Sequence, residues 1–162
     1  MDFGGLPNTI YRNNGDGTFE DLTSKLDVLS DASRKSMQVI FHDFNEDGFP
    51  DIFVANDTDA NGFYLNRGDG TFKVFSGPSG LSTTDGSMGI AIGDINNDGL
   101  SDIVYTNYAA EVNAIAYLID NKSSNDGKLK NAVFTQNFDS PMIHKLSWPK
   151  ISWGPGLFDL DN

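Results

Sequence analysis

No cysteine occurs in the 162 residues, so neither a disulfide framework nor a thiolate metal site can hold this chain together. Basic residues are scarce: 11 Lys and Arg stand against 23 Asp and Glu, for a formal charge of -12. That balance argues against a nucleic-acid backbone as partner. No apolar run approaches the roughly 18 residues of a membrane-spanning helix, so direct membrane insertion is not expected. Residues Met1 to Pro7 lack a basic and an apolar region, so no signal peptide is expected within them. Histidine is nearly absent. The two that occur, His42 and His144, lie in dissimilar contexts, and the chain has no G-x-S-x-G elbow or zinc-spaced His cluster. Sustained helical periodicity is missing too, and the best helical candidate, Asp21 to Leu29, is short. A 38% hydrophobic and 12% aromatic content excludes wholesale disorder, and the length suffices for a sizeable core.

What is present is a repeated loop. Asp43-Phe44-Asn45-Glu46-Asp47-Gly48-Phe49-Pro50-Asp51 returns as Asp94-Ile95-Asn96-Asn97-Asp98-Gly99-Leu100-Ser101-Asp102. Both fit D-x-N-x-D-G-x-x-D, an arrangement of hard oxygen donors around a tight glycine turn, which suits calcium. Asp43, Asn45, Asp47 and Asp51 would supply side-chain oxygens and Phe49 a backbone carbonyl. The second loop would use Asp94, Asn96, Asp98 and Asp102 with the carbonyl of Leu100. A third copy begins at Asp159-Leu160-Asp161-Asn162, which makes Asp159 and Asp161 further candidate ligands and predicts that the chain is a piece of something longer. Gly48 and Gly99 make the sharp turn that a side chain would hinder. Without a cation, each pair of carboxylates about 4 Å apart repels by roughly 1 kcal/mol in water and about 4 at a surface-like dielectric. Magnesium fits less well, since it demands near-octahedral geometry with several waters. An EF-hand is excluded, because it needs helical flanks and an acidic twelfth residue, where these loops have Val54 and Tyr105.

The loop belongs to a larger repeat of about fifty residues. Asn8-Thr9-Ile10-Tyr11-Arg12-Asn13-Asn14-Gly15-Asp16-Gly17-Thr18-Phe19 returns as Asn61-Gly62-Phe63-Tyr64-Leu65-Asn66-Arg67-Gly68-Asp69-Gly70-Thr71-Phe72. A looser third copy places Tyr117 in register with Tyr64, and the wider spacing of the third loop predicts an insertion within 118–150. The segment before each loop alternates large and small residues, as in Ser87-Met88-Gly89-Ile90-Ala91-Ile92-Gly93, which predicts a strand whose small face is crowded. The same frame places Trp153 with Met37 and Met88 on the large-residue face, as core. After each loop, Asp51 to Ala55 and Asp102 to Thr106 are apolar almost throughout, as in strands covered on both faces. Asp-Gly at 16–17 and 69–70 supplies the positive φ of a tight hairpin. Each unit therefore reads strand, metal loop, strand, loop, strand, turn, strand.

Four antiparallel strands per unit predict an all-β chain, a partial β-propeller with one candidate calcium loop between the first two strands of each blade. The expected divisions are 8–35 (the end of one blade and a linker), 36–86 (a blade), 87–150 (a blade with an insertion) and 151–162 (the start of the next). The rest of the ring would lie outside this chain.

These motifs resemble the FG-GAP/VCBS repeat, the calcium-bearing blade of integrin α-subunit propellers, and in particular its ASPIC/UnbV-type branch. The resemblance implies a propeller of about seven blades, Ca2+ in the loop of each blade, and usually an exported protein. It also implies that ligands bind on the face opposite the calcium loops. The expected location is accordingly extracellular, periplasmic or at a cell surface, which millimolar extracellular calcium favours.

The function expected on this reading is a non-enzymatic, calcium-stabilised module that presents loops to a protein or glycan. The candidate ligand face comprises Asn56 to Ala60, Asn107 to Asn113 with Tyr108 exposed, and Ser76 to Gly86. The alternatives are a propeller domain of an exported carbohydrate-active enzyme, or a structural spacer. His42 is expected to pack locally, since the second unit has Gly93 at its position. Asn56-Asp57-Thr58 and Asn121-Lys122-Ser123 match the glycosylation sequon but carry little weight in so Asn-rich a chain.

Overall fold

A computed structural model describes residues 5–25, 34–119, 131–137 and 153–157. The described chain is almost entirely β. A first hairpin pairs β1 (Tyr11–Asn13) with β2 (Phe19–Asp21) and leads into a 3-10 turn at Thr23–Lys25. Two four-stranded antiparallel sheets follow. The first holds β3 (Ser36–His42), β4 (Asp51–Asn56), β5 (Gly62–Asn66) and β6 (Phe72–Val74) in that spatial order. A four-residue helix, α1 (Ser76–Ser79), precedes the second sheet of β7 (Ile90–Gly93), β8 (Asp102–Tyr105), β9 (Ala114–Leu118) and β10 (Phe134–Asn137). Consecutive strands are neighbours throughout, which is the meander of a propeller blade. No described helix is long and apolar enough to cross a membrane.

The apolar run of β4 has a direct cause. Successive side chains of a strand point to opposite faces, and both faces of β4 are covered. Phe53 and Ala55 join a core shared by the two sheets, with Phe44, Phe63, Leu81, Ile103, Tyr105 and Phe134. Ile52 and Val54 pack on the other face with Tyr64, Ile10 and Leu22, so that residues flanking the first hairpin close that side. The shared core is aromatic at its centre. Phe44, Phe63 and Phe134 meet edge to face, with centroids 5.5 to 5.8 Å apart, a geometry that aromatic quadrupoles favour.

The crowding expected on the small face of the second unit is present. A Cβ on Gly89 would stand 2.5 Å from Pro155 Cδ and 2.7 Å from the Gly154 nitrogen, and one on Gly93 would stand 3.0 Å from Leu157 Cδ1. The segment 153–157 thus runs across the first strand of the preceding sheet. Trp153 does not follow the expectation that it is core: it is 64% exposed. Gly154 has φ of +59°, which breaks the period-two alternation that would carry Trp153 to the buried face. Met37 is exposed as well, whereas Met88 is buried. The β3 register shifts between Ser36 and Gln38, so Met37 sits in an irregular step of its strand. Together with Val39, Phe41 and Tyr11 it lines an open groove of about 500 Å3.

The third hairpin copy is offset by one residue from the expected register. Ala116, not Tyr117, faces Ile103 as Tyr64 faces Ile52. The cause is the preceding loop, which is one residue longer in the second sheet (Asn107 to Asn113, against Asn56 to Asn61). The expected insertion within 118–150 and Trp148 lie largely or wholly outside the described residues. Of the helical candidate 21–29, the described residues 21–25 hold the end of β2 and one 3-10 turn.

Phe63 is fully buried between two other rings of the shared core. Phe63→Ala is expected to lose about 3–5 kcal/mol of stability, the usual cost of emptying an aromatic site, measured by chemical denaturation.

Candidate metal centres

Each repeated loop is held by the same seven hydrogen bonds. In the first, Asp43 Oδ1 accepts from the Asp47 amide at 3.0 Å and Oδ2 from the Gly48 amide at 2.8 Å. Asn45 Oδ1 also accepts from the Asp47 amide, and Asn45 Nδ2 donates to Asp47 Oδ2 at 2.9 Å. Asp47 Oδ1 takes the Phe49 amide at 2.9 Å. Asp51 closes the loop: Oδ2 accepts from the Phe44 amide at 3.2 Å, and Oδ1 from the Asn66 amide of β5 at 2.8 Å.

The second loop repeats this bond for bond. Asp94 takes the amides of Asp98 and Gly99. Asn96 and Asp98 bond each other, Asn96 Oδ1 takes the Asp98 amide, and Asp98 Oδ1 takes that of Leu100. Asp102 receives the Ile95 amide at 3.0 Å and the Leu118 amide of β9 at 2.9 Å.

The turn needs two left-handed residues, not one. Gly48 and Gly99 have φ of +95° and +85°, as the motif predicts, but Glu46 and Asn97 are also left-handed at +57° and +58°. Asn tolerates that region because its short side chain bonds locally; Glu does not. The signal was visible only as Asn at the fourth place of one loop.

Asp51 and Asp102 have no exposed surface. Burial is the main force that pushes the Asp51 carboxyl up, to about 7, against the stabilising amides of Asn66 and Phe44; the charges of Asp47 and Asp43 push it further. Asp102 is raised for the same reasons, burial first, with Asp98 and Asp94 as the neighbouring charges. In both loops the first, fifth and ninth residues therefore feel one another electrostatically. Among the described residues, no three acidic or imidazole side chains alone gather closely enough to enclose an ion. The donor set is instead mixed: carboxylates, an Asn oxygen and backbone carbonyls. A carboxylate has about four lone-pair sites, so an oxygen that accepts one amide retains capacity for a cation. All-oxygen donors with one buried carboxylate and two more exposed ones beside it fit a hard divalent ion. Asp159 and Asp161 of the partial third loop lie outside the described residues.

At the opposite end of the sheets, a clasp that the motif search missed fixes the loops between second and third strands. The Asn56 amide donates to Asn61 Oδ1 at 2.8 Å, Asn56 Nδ2 to the Ala60 carbonyl at 2.7 Å, and the Ser36 hydroxyl to Asn56 Oδ1 at 2.8 Å. Asn107 does the same with Asn113, Val112 and Ser87. Asn61 Nδ2 donates across to Ser87 Oγ of the next unit at 3.1 Å. The signal was a serine twenty residues before each asparagine, in both units. Asn56, Asn61 and Asn107 are buried, which removes Asn56 and Asn107 from the expected ligand face and closes the Asn56 sequon in the folded chain. Asn121 lies outside the described residues. Tyr108 is exposed, as expected, while the Ser76 to Gly86 stretch is partly structural, with Ser76, Ser79 and Leu81 buried. His42 packs edge-on to Phe44 with centroids 4.8 Å apart. Burial lowers its pKa, and the Asp43 charge opposes this.

Repeated antiparallel blades with one acidic loop between the first two strands define a propeller-type repeat protein. A family model described as FG-GAP-like repeat matches residues 4–54 and again 43–105. The chain belongs to this family. It is similar to cartilage acidic protein 1 of Mus musculus, at 28% identity over 144 residues, which is 87% of this chain and 20% of that protein. Cartilage acidic protein 1 of Homo sapiens and of Xenopus tropicalis are 41% and 39% identical over 59 residues, or 36% of this chain and 9% of theirs. The matches thus span 9% to 20% of the relatives' length.

Glu46→Asn is expected to stabilise the fold by roughly 0.5–1 kcal/mol by relieving the left-handed strain, while Asn97→Glu costs a similar amount. Denaturation midpoints of the two variants should move in opposite directions.

Proposed function

We propose that this chain is a calcium-stabilised, non-enzymatic segment of a propeller. The observation that carries the reading is the bond-for-bond identity of two acidic loops whose last carboxylate is buried. Asp43, Asn45, Asp47, Asp51 and the Phe49 carbonyl would hold one ion; Asp94, Asn96, Asp98, Asp102 and the Leu100 carbonyl would hold the other. The ion supplies positive charge that relieves the carboxylate repulsion, so binding becomes folding stability by mass action. The reading suits an extracellular setting, where calcium is plentiful; the relatives are named for cartilage and for acidity, and this chain has a net charge of -12.

The part of the module left for a protein or glycan ligand is narrower than its loop composition suggests. Tyr108 and Thr58 are exposed between the clasps. The clasps themselves favour a structural role, which keeps the spacer reading alongside ligand presentation.

Thermal melts test the calcium reading. At calcium one hundred times above the dissociation constant, each site is expected to contribute about 2.7 kcal/mol. The rise in midpoint over chelated protein should be cut by roughly half in Asp94→Asn and abolished in the Asp43→Asn, Asp94→Asn double variant. Equal melts with and without calcium in folded wild-type protein would sink the reading.

A further inference from the structure

One residue of the hairpin motif has a role that the cation sites do not absorb. Asn66 ends β5, and its backbone amide already donates to Asp51. Its side chain bridges two loops: Nδ2 donates to the Pro50 carbonyl at 3.0 Å, while Oδ1 accepts from the Gly68 amide at 3.0 Å. A second contact runs beside it. The Phe49 ring lies over Gly68, where a Cβ would stand 2.5 Å from Phe49 Cε2. Positions seven, eight and nine of the first loop are thereby each tied to β5 or to the β5–β6 turn.

Among the described residues, the second sheet shows no such arrangement. Leu118 stands in the register of Asn66 and keeps only the backbone bond to Asp102. Leu100, at the place of Phe49, is buried in the shared core.

The geometry points to Asn66 and Phe49 as a latch that couples cation binding in the 43–51 loop to the order of the β5–β6 turn, a coupling that Leu118 and Leu100 do not provide for the 94–102 loop. The inference rests on the calcium reading above. Its physical basis is that the short segment Phe49-Pro50 would serve two partners. On the calcium reading the Phe49 carbonyl would be a ligand, while the Phe49 ring packs on Gly68 and the Pro50 carbonyl is held by Asn66. Fixing that segment for an ion would also fix the turn, and by linkage an ordered turn would strengthen the site equally. Partners that orient ligands commonly contribute 10–100-fold to metal affinity.

The test is amide hydrogen exchange on the intact chain with calcium chelated or saturating, read at Arg67 and Thr71. These amides bond within the turn itself, to the Thr71 carbonyl and to Asp69 Oδ1, so removing the Asn66 side chain leaves their acceptors in place. In wild type, calcium is expected to slow both at least about tenfold. Asn66→Leu, which installs the residue of the second sheet, should erase that response and weaken one of two calcium sites about tenfold. Phe49→Leu should weaken the same response and serves as the second variant if Asn66→Leu is unstable. If wild type binds calcium but its Arg67 and Thr71 exchange is unaffected, or if both variants respond as wild type does, the latch is overturned and the calcium reading stands. If wild type binds no calcium, both fall together.

Discussion

The structure depends on a carboxylate that has no contact with water. Asp51 and Asp102 each collect one amide from the start of their own loop and one from the third strand of their sheet. A single side chain therefore sets the loop's closure and the register of the strand beyond it. Burying such a group is unfavourable unless its charge is compensated. Two amides stabilise the ionised form, yet burial and the two nearby aspartates still leave the Asp51 carboxyl raised. The loop is thus folded around an electrostatic deficit that a hard cation would remove. The chain's acidity follows from the same arrangement, because eight of its aspartates sit in the loop copies.

The two ends of each sheet solve the same problem in different ways. At one end, loop amides turn inward onto carboxylates, which concentrates negative charge. At the other, neutral asparagines satisfy the loop backbone, and Asn61 reaches Ser87 in the next unit. Each blade is consequently locked to its neighbour by uncharged hydrogen bonds as well as by the aromatic core.

Much of this was legible in the sequence because it rests on period and spacing. The runs after each loop gave β4 and β8, Asp-Gly marked the hairpin turns, and the small face of 87–93 anticipated the close approach of Gly154 and Leu157. The nine-residue motif located both acidic loops. What could not be read depended on local backbone geometry. One extra residue between Asn107 and Asn113 moved β9 by one position, and the left-handed φ of Gly154 turned Trp153 outward. The asparagine clasp escaped because Asn56 and Asn107 look like ordinary loop residues until their buried partners are seen. The left-handed Glu46 escaped because nothing in a glutamate announces that conformation.

The most direct test of the account is a count of calcium ions bound to the folded, chelator-treated chain by isothermal titration. At least two ions per chain, with loss of one on Asp51→Asn and of another on Asp102→Asn, is the predicted result. A flat titration of protein whose β-sheet spectrum is intact would contradict it, and the buried aspartates would then be sustained by their amides alone.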